Sequence, residues 1–122
     1  MQSTRRQYEK TIGFIDRAID AGATLATKRD YRTNRTTGFF VNPTAISGID
    51  DSFEIAREEV FGPVVSIMPW TDLEEMLSAV NGLDVGLTAS IWTQNIATAM
   101  QLSQRISAGY VWINDSSDHY LG

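Results

Sequence analysis

Between Val64 and Ile113 three short, almost wholly apolar stretches alternate with two amphipathic ones, and no other feature constrains the fold so tightly. Val64-Val65-Ser66-Ile67, the run from Leu87 to Trp92, and Tyr110-Val111-Trp112-Ile113 are too short for helices and rich in β-branched and aromatic residues, so they read as strands. Strands that are apolar on both faces need cover on both. Between the first two, Thr71-Asp72-Leu73-Glu74 forms a capping box that opens a helix with Leu73, Met76, Leu77 and Val80 on its apolar face, ending at Asn81-Gly82. A second helix is predicted from about residue 96 to 107, with Ile96, Ala99, Met100 and Ser103 on one stripe and Ala108-Gly109 as its stop. Strand, helix, strand, helix, strand in this form predicts an α/β fold: right-handed crossovers building a mostly parallel sheet with helices on both faces.

The N-terminal half fits the same class. Tyr8, Ile12, Ile15 and Ile19 recur at helical spacing, with Thr4-Arg5-Arg6-Gln7 as a possible capping box and Ala21-Gly22 as the close, which predicts a helix over about 5–21. A short strand over 23–27, a polar surface loop from Lys28 to Gly38, and a strand-like run from Phe39 to Ile46 interrupted by Pro43 follow. A chain of 122 residues is near the modal domain size, so residues 1–122 are read as a single domain.

Several function classes are excluded by composition. No apolar run approaches the ~20 residues that span a bilayer, and Arg5-Arg6 is not followed by the apolar segment of a secretory signal. The expected setting is therefore the cytoplasm, with no membrane partner. The chain has no cysteine and one histidine, His119, so it supplies neither a thiolate nucleophile nor a zinc-type metal site. Residues 1–35 hold eight of the ten Lys and Arg against four acids, whereas the remainder holds two against eleven. Tyr31 among Lys28, Arg29, Arg32 and Arg35 is the one hint of a nucleic-acid face, and a solvated loop explains it better, so no nucleic-acid partner is expected. Trp70, Trp92 and Trp112, at strand ends or within strands, are read as core residues.

The approach to the first of the three apolar strands is chemically unusual. Glu58-Glu59-Val60-Phe61-Gly62-Pro63-Val64 places two acids and an aromatic ahead of a glycine that permits close approach and a proline that fixes φ where the strand begins. Such a loop holds a side chain in one place. Read from the residues alone, the acid pair is an exposed turn, because adjacent carboxylates in extended chain point to opposite sides. Phe61 alone reads as a core residue.

From Ser3 to Gly122 the sequence resembles the C-terminal portion of the catalytic domain of NAD(P)-dependent aldehyde dehydrogenases. The heptapeptide matches the family's EE[IV]FGPV motif. The blocks Ala21-Gly22-Ala23-Thr24-Leu25, Gly38-Phe39-Phe40-Val41-Asn42-Pro43-Thr44, Ile55-Ala56-Arg57, Asn81 with Gly86-Leu87-Thr88-Ala89, and Gly109-Tyr110-Val111-Trp112-Ile113-Asn114 occur in the family's order. In such enzymes a cysteine thiolate attacks the aldehyde, hydride passes to the nicotinamide, and a glutamate-activated water hydrolyses the thioester.

The resemblance implies that Glu59 is the carboxylate accepting from both hydroxyls of the nicotinamide ribose, which suits two acceptor oxygens, and that Phe61 packs beside the same end of NAD or NADP. Glu58 stays an exposed acid. Asn114 matches the asparagine ending the last strand near the reaction centre, with a turn-capping role as the alternative. Ser117 and His119 match positions that line the aldehyde tunnel. The family's cysteine, general-base glutamate and oxyanion-hole asparagine would precede Met1, and its PFGG block and dimerisation arm would follow Gly122. A partial catalytic domain, without catalytic residues of its own, inactive and holding no cofactor alone, is the expectation. The alternative is a noncatalytic interaction module. Either would expose apolar surface or a strand edge, so a homo-oligomer is expected.

Overall fold

A computed structural model of the chain describes residues 2–33 and 37–116, which fall into two compact units, residues 1–69 and 70–122. In the first unit a long helix, α1 (Arg5–Asp20), is followed by β1 (Thr24–Leu25), β2 (Thr44–Ser47), the short α2 (Glu54–Arg57) and β3 (Val64–Ser66). β2 pairs antiparallel with β1 and parallel with β3, in the register Thr44↔Val64, Ala45↔Val65 and Ile46↔Ser66.

Both ends of α1 are set by local chemistry. Thr4 Oγ1 accepts from the Gln7 N–H at 3.1 Å, so the predicted N-cap is present. The reciprocal half of the capping box is not formed, because the Gln7 amide turns towards the loop before β3 instead. At the far end Gly22, at φ 103, lets Ala23 N–H reach Ala18 O and Gly22 N–H reach Ile19 O, both at 2.9 Å. That pair of bonds is a Schellman close.

Phe14, Ile15 and Ala18 on α1 pack with Tyr31, Val41, Ile46, Ile49 and Ile55 in the core of this unit, where Ile15 and Ile46 are fully buried. Tyr31 is thus a core residue and not part of a solvated loop. Its hydroxyl donates to Asp16, and Arg32 stacks on its ring while donating to both Asp16 oxygens at 2.7 and 2.8 Å. Removal from water, reinforced by the Asp16 carboxylate, raises the Tyr31 hydroxyl above its ordinary pKa. Asn42 fastens the same segment by donating to Asp30 O at 2.7 Å.

The second unit contains α3 (Leu73–Asn81), β4 (Thr88–Ile91), α4 (Ile96–Arg105) and β5 (Tyr110–Ile113). β4 and β5 run parallel, Thr88↔Tyr110 to Ile91↔Ile113, joined by the α4 crossover. Parallel pairing through helical crossovers is as predicted. The strands nevertheless form a three-stranded sheet, β1-β2-β3, and a separate two-stranded one, β4-β5. Apolar periodicity specifies that a strand is covered, not which strand lies at its edge.

Details of this unit differ from expectation in instructive ways. Asp72, not Thr71, caps α3, its carboxylate accepting from Glu74 N–H and Glu75 N–H at 2.8 and 2.9 Å. α4 buries Ala99 and Leu102, leaving Ile96 and Met100 exposed, so the helix is rotated relative to the predicted stripe. Trp70 and Trp92 are exposed and Trp112 only half-buried. The described residues contain no helix long and apolar enough to cross a membrane and no group of three acidic, His or Cys side chains able to hold a metal.

Candidate functional site

The loop from Glu58 to Pro63 joins α2 to β3. α2 ends when Glu58 adopts extended backbone, while its N–H still donates to Glu54 O at 3.0 Å. The side chains of Glu58 and Glu59 are therefore displayed from extended chain, and both are exposed. The Glu59 carboxylate has no hydrogen bond or ion pair among the described residues.

Phe61 departs from ordinary backbone geometry. Its φ is 52°, the left-handed region, which costs a non-glycine residue about 1–2 kcal/mol. Phe61 is 71% exposed, which removes the core reading. Val64 N–H then returns to Gly62 O at 2.8 Å, closing a tight three-residue turn around Pro63, and Thr44 N–H donates to Pro63 O at 2.9 Å. Together with Ile55 and Ser66 the loop lines an open depression of about 290 Å³.

Two α1 residues hold this loop, and sequence patterning gave no sign of them. Gln7 Nε2 donates to Val60 O at 2.9 Å and to Phe61 O at 3.1 Å. Thr11, fully buried, lies under Gly62 so closely that a Cβ there would sit 2.6 Å from Thr11 Cγ2. These contacts join residues more than fifty positions apart, and only the EEVFGPV-type motif marked one side of them.

Asn114, in the second unit, is occupied structurally. At φ 53 its side-chain oxygen accepts from Thr93 N–H at 2.8 Å and its amide donates to Thr93 O at 3.0 Å, extending the β4-β5 ladder by one side-chain rung. It borders an open groove of about 530 Å³ formed with Trp92, Gln94, Ile96, Ala99 and Ile113. These bonds run to the end of the neighbouring strand and not to the turn that follows β5, so they are a cross-strand clamp and not the turn cap named as the alternative. Ser117 and His119 lie outside the described residues.

The model of the aldehyde dehydrogenase family matches residues 2–121. The chain belongs to the aldehyde dehydrogenase family. Among curated relatives it is 38% identical to aldehyde dehydrogenase tropH of Talaromyces stipitatus, over 97% of this chain and 24% of that one. Among solved structures it resembles the NAD+ complex of the Bacillus cereus aldehyde dehydrogenase, with TM-score 0.84 and 36% identity over 95% of this chain and 23% of the other. The fold also matches an aldehyde dehydrogenase from Burkholderia cenocepacia at TM-score 0.87 and 31% identity, covering 96% and 25%. The chain thus spans about a quarter of the length of the relatives it matches. It is an α/β portion of an aldehyde dehydrogenase fold.

Proposed function

We propose that this chain is the part of an aldehyde dehydrogenase catalytic domain that orients the nicotinamide end of NAD+ or NADP+, in an enzyme that oxidises an aldehyde to a carboxylic acid. Both compact units belong to that one domain. The observation carrying this reading is Glu59: an exposed carboxylate without a hydrogen-bond or ion-pair partner among the described residues, beside an open depression and two residues before an exposed aromatic on a braced turn.

These residues fit one end of a dinucleotide and no more. Glu59 offers two acceptor oxygens to a pair of ribose hydroxyls, and Phe61 offers an apolar face beside them. The bound nicotinamide would supply the hydride acceptor. What this chain contributes is orientation, which matters because a reacting pair held near attack geometry avoids much of the entropy cost of meeting. Asn114, Ser117 and His119 stand on the aldehyde side in this reading, with Asn114 acting through the backbone it fixes at Thr93. The 122-residue chain, lacking a cysteine, has no thiolate nucleophile and is inactive alone.

The test is Glu59→Gln in a complete enzyme carrying this segment. Loss of a charge-assisted pair of hydrogen bonds raises the KM for NAD+ or NADP+ by roughly tenfold or more while leaving the aldehyde KM nearly unchanged. An unchanged cofactor KM and kcat would remove Glu59 from the site. Aldehyde-dependent reduction of NAD+ by the 122-residue chain alone would refute its inactivity.

A second reading is favoured by the exposed Leu87, Trp92 and Ile96: the chain associates through apolar surface, as a homo-oligomer or interaction module. Light scattering after size exclusion that returns a monomer counts against it.

A further inference from the structure

The turn that carries Phe61 has an energetic problem that the loop cannot solve from its own residues. A left-handed non-glycine backbone costs free energy, and such a conformation persists only where surrounding contacts over-determine it. Three features surround it here. Gln7, on the first turns of α1, donates from one amide nitrogen to the carbonyls of both Val60 and Phe61, the oxygens on either side of the left-handed residue. Thr11, one helical turn later, presents the wall on which Gly62 lies flat, and its hydroxyl also receives Gln7 Nε2 at 3.4 Å. The Thr11 hydroxyl in turn donates to Gln7 O at 2.9 Å, so Gln7 and Thr11 are tied to each other as well as to the loop.

The consequence is geometric. The two carbonyls converge on one donor only if the peptide between Val60 and Phe61 and that between Phe61 and Gly62 are turned towards α1. That leaves the Phe61 ring directed outward and exposed, and fixes the chain immediately after Glu59. A carboxylate side chain has three rotatable bonds of its own, so fixing the backbone beside it is the most a neighbour can do without touching it.

We propose that Gln7, seated on Thr11, is a positioning residue: it holds the Val60-Phe61-Gly62 turn in its left-handed form and thereby sets the direction of Glu59 and Phe61. The second clause rests on the cofactor-orienting reading of those two residues. The first stands without it.

Amide hydrogen exchange on the 122-residue chain tests the first clause. In Gln7→Leu, and in Gln7→Met, which keeps volume but has no donor, the amides of Val64 and Thr44, which donate to Gly62 O and Pro63 O at the turn, exchange about tenfold faster, while those of α1 from Ile12 to Ala18 keep their rates as an internal control for folding. Unchanged exchange in the turn overturns the proposal, as does equal acceleration in α1 and the turn, which would make Gln7 a general stabiliser. The second clause is read in a complete enzyme carrying this segment. There Gln7→Met raises the cofactor KM several-fold with the aldehyde KM held, and an unchanged cofactor KM despite a loosened turn overturns that clause. Glu59→Gln in the same enzyme separates the two readings: if it too leaves the cofactor KM unchanged, the cofactor-orienting reading has failed, and Gln7 still holds the turn.

Discussion

The two compact units use their apolar residues very differently. Among the described residues of the first unit nine buried side chains form one cluster, including Phe14, Ile15, Ile46 and Ile55, with Tyr8, Ile12, Val60 and Val64 packed around it. In the second unit the corresponding cluster is Leu77, Ile91 and Leu102, while Trp70, Leu87, Trp92, Ile96 and Tyr110 are at least half exposed. The sequences are equally capable of burial. What differs is that one unit has a long amphipathic helix laid over its sheet, whereas the other offers apolar faces that none of its described residues covers. Each such side chain, once covered, would contribute about 1.5–3 kcal/mol, so the second unit holds unrealised stability in surface form.

If that contrast is right, Ile15→Ala has the largest effect. Truncating a fully buried side chain removes transfer energy and leaves a cavity, so urea denaturation monitored on α1 should report a loss of about 2–5 kcal/mol. The paired substitution Ile96→Ala, at a site 71% exposed, should stay within about 0.5 kcal/mol. Equal losses would break the comparison.

An intermediate effect is expected where the second unit relies on polar fastening. Asn81 donates to Arg105 O and accepts from Ser107 N–H, each at 2.8 Å, tying the end of α3 to the end of α4. Asn81→Ala should cost about 1–2 kcal/mol and be visible as faster exchange in α4 while α1 is unaffected. Spread of the effect to α1 would show that the units unfold together.

The smallest effect is the pH dependence of the Glu74–Arg105 pair, which also bridges α3 and α4. Hydrogen bonding from Arg105 lowers the Glu74 carboxyl below its ordinary value of 4.5. A lowered carboxyl pKa stabilises the fold above the unfolded value and loses that contribution as pH falls through the folded one. The stability difference between the parent chain and Arg105→Gln should thus be constant near neutrality and close below about pH 4.5; a difference that persists at pH 3 would assign it to packing of the Arg105 stem instead.

Legibility from sequence followed the range of the interaction. Elements whose signals are local were readable: the α1 stripe, Thr4 and Gly22 at its ends, and the parallel β4-α4-β5 crossover. α2 was not, because four residues carry no period. Nor was the burial of Tyr31, which depends on Asp16 lying fifteen residues earlier on another element. Trp92 differs from expectation for the opposite reason: its residue type argues for a core, and no surface among the described residues of its own unit buries it. At the candidate site the motif drew attention to Glu59 and Phe61 but was silent on Gln7 and Thr11, whose roles exist only once α1 and the loop meet.

Asn81 is followed by Gly82, the dipeptide in which an asparagine side chain is most easily attacked by the next backbone nitrogen to lose its amide as ammonia. In the folded second unit that nitrogen is bonded to Ser78 O at 2.9 Å, and the Asn81 amide is held at both ends by Arg105 and Ser107. Deamidation therefore waits for this corner to open, and conversion to aspartate would replace a donor to Arg105 O with a second acceptor, preventing it from closing again in the same way. The slow appearance of that one extra negative charge on ageing would be a chemical clock for how often the end of α3 lets go.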